Sequence, residues 1–400
     1  MKGNAYVPFM LRRGDGSTLS LDFTAMGGTL DSRFTFTRST TATFINSSGY
    51  VTSAAINAPR FDYDPTTLTP RGLLVEGSAT NLLKHSTYAD TSWIAYGGYS
   101  KSYTTNISSP ANDTSAARVT FSAVGNGLFT NNTQMSYTNT VGATYTFSAW
   151  IRATSNTTNL NIRFGDSAVA NGPNIPITTT WTRYSYSYVA VSASGPAIQS
   201  ASGTATGEFE MWGFQLEAGS SASAYIPTTT SAVQRTADTC IAASTGFSSW
   251  FTGGTIGTFY ADWYGGLRGI TSTVRTVLST SDVSARHLHL QQTAAAGNLK
   301  IADFGAANVV TTSNSITSGA RTKGAFSFSG GTVNLTLNGG TVATSSSLAF
   351  STAPTWLVVG GTSTDGSTIT DGTVVLNGSI RAIKYWPSVL PTATLQSLTT

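Results

Sequence analysis

Glu76, Glu208, Glu210 and Glu217 are the only glutamates in a chain of 400 residues, so a Glu-based acid–base pair has few places to sit. Glycosidic bond hydrolysis needs two carboxyls facing each other across a cleft, about 5 to 10 Å apart. Glu208 and Glu210 in "GEFEMW" share one face of a predicted strand, where the bland reading is exposed edge charges that stop sheets pairing edge to edge. A hydrolase drawing Asp pairs from distant loops stays open. Asp62 and Asp64 in "PRFDYDP" are calcium candidates, since hard cations collect several oxygens, but the Gly and terminal Glu of a calcium loop are missing. His287 and His289 in "RHLHL" project to one strand face without a third ligand at zinc spacing, which reads as a surface pair. Cys240 stands alone with no neighbouring His; it reads as a small linker or core residue and excludes an intramolecular disulfide. Arg13-Gly14-Asp15 is explained by turn chemistry.

Sugar binding asks for different residues, aromatic faces for the pyranose CH surface and amides, carboxylates or guanidiniums for the hydroxyls. Two stretches supply them. "TSWIAYGGYSKSY" places Trp93, Tyr96, Tyr99 and Tyr103 in a Gly-containing loop region, and "DWYGGLR" offers Asp262, Trp263, Tyr264 and Arg268. The competing reading is that Trp93 and Trp263 are core tryptophans.

Composition narrows the setting of these groups. Charged residues are only 10% of the chain while aromatics are 11%, so the surface is covered by hydroxyls and amides and there is ample material for packed cores. A net charge of +4 with scattered Lys and Arg gives no basic stripe for nucleic acid or an anionic membrane. No 18-residue apolar run is present to span a bilayer, and the start lacks the unbroken apolar core of a signal peptide.

Alternating β-branched and aromatic segments recur between Gly, Asn, Ser and Pro clusters, the pattern of antiparallel strands with one buried face. "TYTFSAWIRA" sets Tyr145, Phe147, Ala149 and Ile151 on one face, and "WTRYSYSYVAV" alternates from Trp181. "GEFEMWGFQLE" alternates around Phe209, Met211 and Gly213 while Trp212, Phe214 and Leu216 point the other way, so this strand is expected to be covered on both faces. Asn338-Gly339 in "LTLNGGTVAT" suits a type I′ hairpin turn, and "PTATLQSLTT" is the one plausible short helix. Three regions follow: an amino-terminal segment 1–70, a first sandwich 71–235 and a second 245–400. In 59–86 the prolines at 59, 65 and 70 argue for a folded connector over a strand. Arg60, Asp62, Asp64, Arg71 and Glu76 there read as an internally paired lock joining the amino-terminal segment to the first sandwich.

The series "LDFTAMGGTLDSRFTFTRSTTATF" through "PRFDYDP" to "RGLLVEGSATNLL" resembles a module of tailed-phage virion proteins. In that family it leads into a carbohydrate-binding-module-like jelly roll ending in a segment similar to "WGFQLEAGSSASAYIPTT" at 212–229. The end of the chain, "LNGSIRAIKYWPSVLPTATLQSLT", is similar to the last strand and helix of concanavalin-A-like, laminin-G-type sandwiches. The Glu-x-Asp-x-x-Glu strand expected of concanavalin-A-like hydrolases is not present.

The resemblance implies an all-β chain with two antiparallel sandwiches after an extended amino-terminal segment. It implies a tail fibre, head fibre or capsid decoration subunit, made in the bacterial cytoplasm and released by lysis within the virion. Its expected partners are other virion proteins, two further copies in a homotrimer, and a host-surface polysaccharide, with no nucleic acid, no membrane insertion and no cofactor beyond a possible calcium. The alternatives are a tailspike-type depolymerase and a purely architectural capsid stabiliser.

Overall fold

Strand-forming residues dominate the computed structural model, in which 50% of the described residues are strand and 4% helix. It describes residues 14–87, 94–96, 102–121, 127–129, 138–154, 161–166, 172–201, 207–265, 274–282, 288–293, 297–303, 308–317, 319–348, 353–370 and 374–400. The expected all-β class holds, and the paired strands run antiparallel. No helix among the described residues is long and apolar enough to cross a membrane. Two compact units result. The first comprises residues through Gly49, Ala54–Ser78 and Thr236–Thr400; the second comprises Tyr50–Ser53 and Ala79–Arg235.

In the first unit one sheet runs, in spatial order, Ala343–Ser345, Thr332–Leu337, Arg321–Ser329, Gly257–Gly265, Gly378–Trp386, Pro70–Val75 and Phe61–Tyr63, with Leu19–Asp22 also paired to Gly378–Trp386. A second sheet runs Thr35–Thr37, Thr239–Ala243, Trp356–Val359, Arg275–Ser281, Leu288–Gln292, Asn298–Asp303 and Asn308–Ser315. Phe259, Trp263, Phe326 and Ile383 from one sheet meet Val277, Leu290, Ile301 and Leu357 from the other in a single buried cluster. The Thr392–Thr399 helix lies where the sequence places one, and its Leu395 packs with Tyr260, Ala325 and Trp386. Asn338 and Gly339 take φ of 47° and 70°, as the turn between Thr332–Leu337 and Ala343–Ser345 demands.

The amino-terminal residues are not a separate segment. Leu19, Leu21, Phe36, Phe61, Leu73 and Val75 belong to the core of the carboxyl-terminal block, because their strands extend its sheets, and Phe34 joins them from just before the Thr35–Thr37 strand. Nor is 59–86 a strandless connector. Pro59 and Pro65 stand outside the strands and Pro70 opens one, positions at which a missing N–H costs no ladder bond. The charges here pair with one another as expected, Arg60 with Glu76 and Arg71 Nη2 with Asp64 Oδ2 at 2.7 Å, and they gain a further partner in Asp238. Asp238 accepts from Arg38 Nη1 at 3.1 Å and from Arg60 Nη2, while Arg60 Nη1 lies 2.8 Å from Glu76 Oε2. Arg38, Arg60 and Asp238 are fully buried. The lock therefore fastens 38–76 to residue 238, both within the first unit.

In the second unit the strands Thr182–Val189, Thr144–Ala153, Gly207–Ala218, Ala116–Phe121 and Ser102–Ile107 form one sheet; Ile175–Pro176, Asn161–Asp166, Pro196–Ser200, Gly127–Phe129 and Ile94–Tyr96 form the other. Tyr145, Phe147, Ala149 and Ile151 face the core as the alternation predicts. The Gly207–Ala218 strand differs from its predicted alternation. Its register against Thr144–Ala153 slips between Trp150 and Ser148, opposite Gly213, whose φ is +68°. This bulge turns Phe214 and Leu216 inward beside Phe209 and Met211, so all four share one core. Glu210, Trp212, Gln215 and Glu217 are left for the opposite face.

Candidate functional site

Across that opposite face the register aligns a single row. Arg152 stands opposite Glu210, Glu210 opposite Arg118, and Arg118 opposite Thr104. Trp181, one residue before the Thr182 that pairs with Ile151, completes the row, with the Arg152 guanidinium 4.7 Å from its ring centroid. Five positions at strand spacing span roughly 19 Å.

Glu210 is the hinge of this row. Its Oε1 accepts from Arg118 Nε at 3.1 Å and Nη2 at 2.6 Å, and its Oε2 accepts from Arg152 Nε at 2.5 Å. Glu210 is 4% exposed while Arg118 and Arg152 are 36% and 30% exposed. Ion pairs with such exposed arginines contribute only about 0 to 1 kcal/mol each, so stability alone gives little reason to gather three charges here in a charge-poor chain. Glu208 and Glu210 are thus not edge charges: their strand is central in the sheet, and Glu210 is buried and paired.

Beside the row the face is closed. Trp150, Trp212 and Tyr225 pack together with ring centroids 4.7 to 5.6 Å apart, and Arg183 covers Trp150 at 4.6 Å. The Trp212 indole N–H donates to Ser115 Oγ at 2.7 Å. Gln215 and Glu217 hold the returning 223–226 segment over this cluster. Ser223 N–H donates to Glu217 Oε2 at 3.0 Å, Ser223 Oγ to Glu217 Oε1 at 2.6 Å, and Ile226 N–H to Gln215 Oε1 at 2.7 Å. Burial pushes the Glu217 carboxyl up in spite of the hydrogen bonds from Gln215 and Ser223. The "WGFQLEAGSSASAYIP" stretch is thereby a strand and the strap that folds back over it.

The sugar candidates read from the sequence fare differently. Trp93, Tyr99 and Arg268 lie outside the described residues, as does His287; Tyr96 and Tyr103 fall in the Ile94–Tyr96 and Ser102–Ile107 strands, with side chains outside the description. Trp263 is fully buried in the core of the first unit, because strand alternation turns it inward between Asp262 and Tyr264, and it has no face to offer a sugar. Asp262 is 3% exposed and is bound by Arg321, with Arg381 Nε at 3.6 Å. Tyr264 is half-buried, with Arg71 and Arg381 each 5.7 Å from its centroid.

Asp62 and Asp64 are spent on local structure. Asp62 accepts from Ile45 N–H at 2.8 Å; Asp64 accepts from the Thr66 and Thr67 amides and from Arg71. No group of three or more His, Cys, Asp or Glu among the described residues is placed to hold a metal ion. His289 is buried rather than on the surface, its ring 3.2 Å from Gln291 Nε2, and Cys240 is fully buried, which pushes its thiol up. Sequence reading missed Arg118, Arg152 and Trp181. The two arginines do alternate with core residues in their strands, but only the register shows them meeting one glutamate.

No family model matches the chain, and no curated protein matches it. Among solved structures it is similar to the CBM40 of the Ruminococcus gnavus IT-sialidase bound to alpha2,6 sialyllactose, at 20% identity over 36% of this chain and 84% of that one, with a TM-score of 0.29. It is similar to domain 4 of a GH43 extracellular arabinanase from Geobacillus stearothermophilus in complex with arabinotriose, at 15% identity over 45% of this chain and 82% of that one, TM-score 0.32. A Trypanosoma rangeli sialidase in complex with the inhibitor DANA matches at 11% identity over 40% of this chain and 26% of that one, TM-score 0.31. Binding modules and an enzyme thus appear together, and TM-scores this low carry no argument for ligand or activity.

Proposed function

We propose that the chain is a non-catalytic structural subunit of a tailed-phage virion, a fibre or decoration protein, whose second unit binds a surface polysaccharide along the row from Trp181 to Thr104. The observation that carries the glycan reading is the row itself. It sets a half-buried indole, two partly exposed guanidiniums and an exposed hydroxyl in line across the sheet, the mixture of ring surface and fixed polar groups that a sugar chain requires. The virion reading is supported by the resemblance of residues 20–86 and 212–229. A homotrimer would multiply a weak site, since linked copies turn later contacts into intramolecular ones.

The test is retention on immobilised bacterial surface polysaccharides. Wild-type protein is expected to be retained, and Trp181→Ala and Arg152→Ala are each expected to weaken retention about tenfold, the scale of one lost stacking or charged hydrogen-bond contact. Release of reducing ends during incubation would replace the binder with a depolymerase. Silence across the panel would leave the architectural subunit. A monomer mass by light scattering at micromolar concentration would remove the trimer.

A further inference from the structure

Resting on the reading of the row as a glycan site, we infer that its ligand is an acidic polysaccharide whose sugar carboxylate is taken by Arg152 and Arg118. The count of hydrogen-bonding groups points there. An arginine side chain carries five N–H donors, and Arg152 gives only its Nε to Glu210. Its Nη1 and Nη2 take no partner among the described residues, while the guanidinium carbon sits 4.7 Å from the Trp181 ring centroid and Glu210 holds the Nε edge. What remains is a planar, pre-set fork of the kind that accepts a carboxylate through two parallel hydrogen bonds. Arg118 spends Nε and Nη2 on the same Glu210 oxygen, and its Nη1 takes no partner among the described residues.

Charge argues the same way. Two guanidiniums share the Glu210 carboxylate, so this part of the row carries one positive charge more than Glu210 supplies. A neutral sugar settling on it would remove water from that charge without replacing its counterion, at a cost; a carboxylate would supply the missing partner. Glu208, the next carboxylate on this face of the strand, lies two residues along at about 7 Å.

The experiment uses the whole chain in affinity electrophoresis with polygalacturonate, alginate and polysialic acid, each beside its carboxyl-reduced counterpart, with dextran and dextran sulfate added. At least one acidic polymer is expected to bind tenfold or more tightly than its carboxyl-reduced form, with affinity falling as salt rises. Arg152→Lys, which keeps the charge and loses the fork, is expected to remove most of that preference. Equal binding of acidic and reduced forms overturns the inference and leaves the glycan site standing; no binding to any polymer overturns both. Preference for dextran sulfate over every carboxylated polymer overturns the carboxylate in favour of a tetrahedral anion. The paired polymers test wild-type protein, so a variant that fails to fold does not decide the matter.

Discussion

Asp62 and Asp64 are two residues apart and meet opposite electrostatic fates. Burial pushes the Asp62 carboxyl up to about 6, against the lowering effect of the Ile45 amide. At Asp64 partial burial also works upward, but the Thr67 amide, Arg71 and the Thr66 amide outweigh it and hold the carboxyl at about 2. For Asp62 the native state therefore keeps a proton, between the ordinary carboxylate range and about pH 6, that the unfolded chain has released. The native state then binds more protons than the unfolded state, so this contribution to stability is lost as pH rises through 6. Urea midpoints at pH 5 and pH 7.5 are expected to show a fall with pH in the wild type that is smaller in Asp62→Asn; an identical fall in both would assign the dependence elsewhere. The sequence showed two acids in a Pro-bounded stretch, and only the folded surroundings separate them.

At the scale of one strand, Gly213 decides which side chains of Gly207–Ala218 reach the core. Its φ of +68° is costly for other residues, and a Cβ built there would stand 2.7 Å from the Trp150 ring. Gly213→Ala is expected to lower the unfolding free energy of the second unit by about 1 to 3 kcal/mol, the cost of an enforced left-handed residue, read as a lower urea midpoint. An unchanged midpoint would mean the bulge relaxes without penalty. The sequence pattern announced an unusually apolar strand. Strict alternation then misplaced Phe214 and Leu216, since period-two reasoning carries no information about where an extra residue enters.

At the scale of the molecule, the two units cut across the order of the chain. A fragment of residues 79–235 is expected to keep a cooperative urea transition and a near-ultraviolet circular dichroism signal, because its core lies within those residues. A fragment of residues 245–400 is expected to lose both. It lacks Leu19–Asp22, Phe61–Tyr63, Pro70–Val75 and Thr239–Ala243, leaving sheet edges and a hydrophobic face uncovered. Cooperative unfolding of the second fragment would overturn this account of the first unit.

Much of the architecture was already written in local pattern: the all-β class, the inward faces of Thr144–Ala153, the Asn338-Gly339 turn and the terminal helix follow from alternation and turn chemistry between near neighbours. What the sequence could not settle depends on partners far along the chain. Arg38, Arg60 and Glu76 find Asp238 some hundred and sixty to two hundred residues away, and Arg118 and Arg152 find Glu210 fifty-eight and ninety-two residues away in reverse order. Strand register, which no single segment encodes, decides those meetings, and with them whether a charge is a buried tie or part of a binding surface.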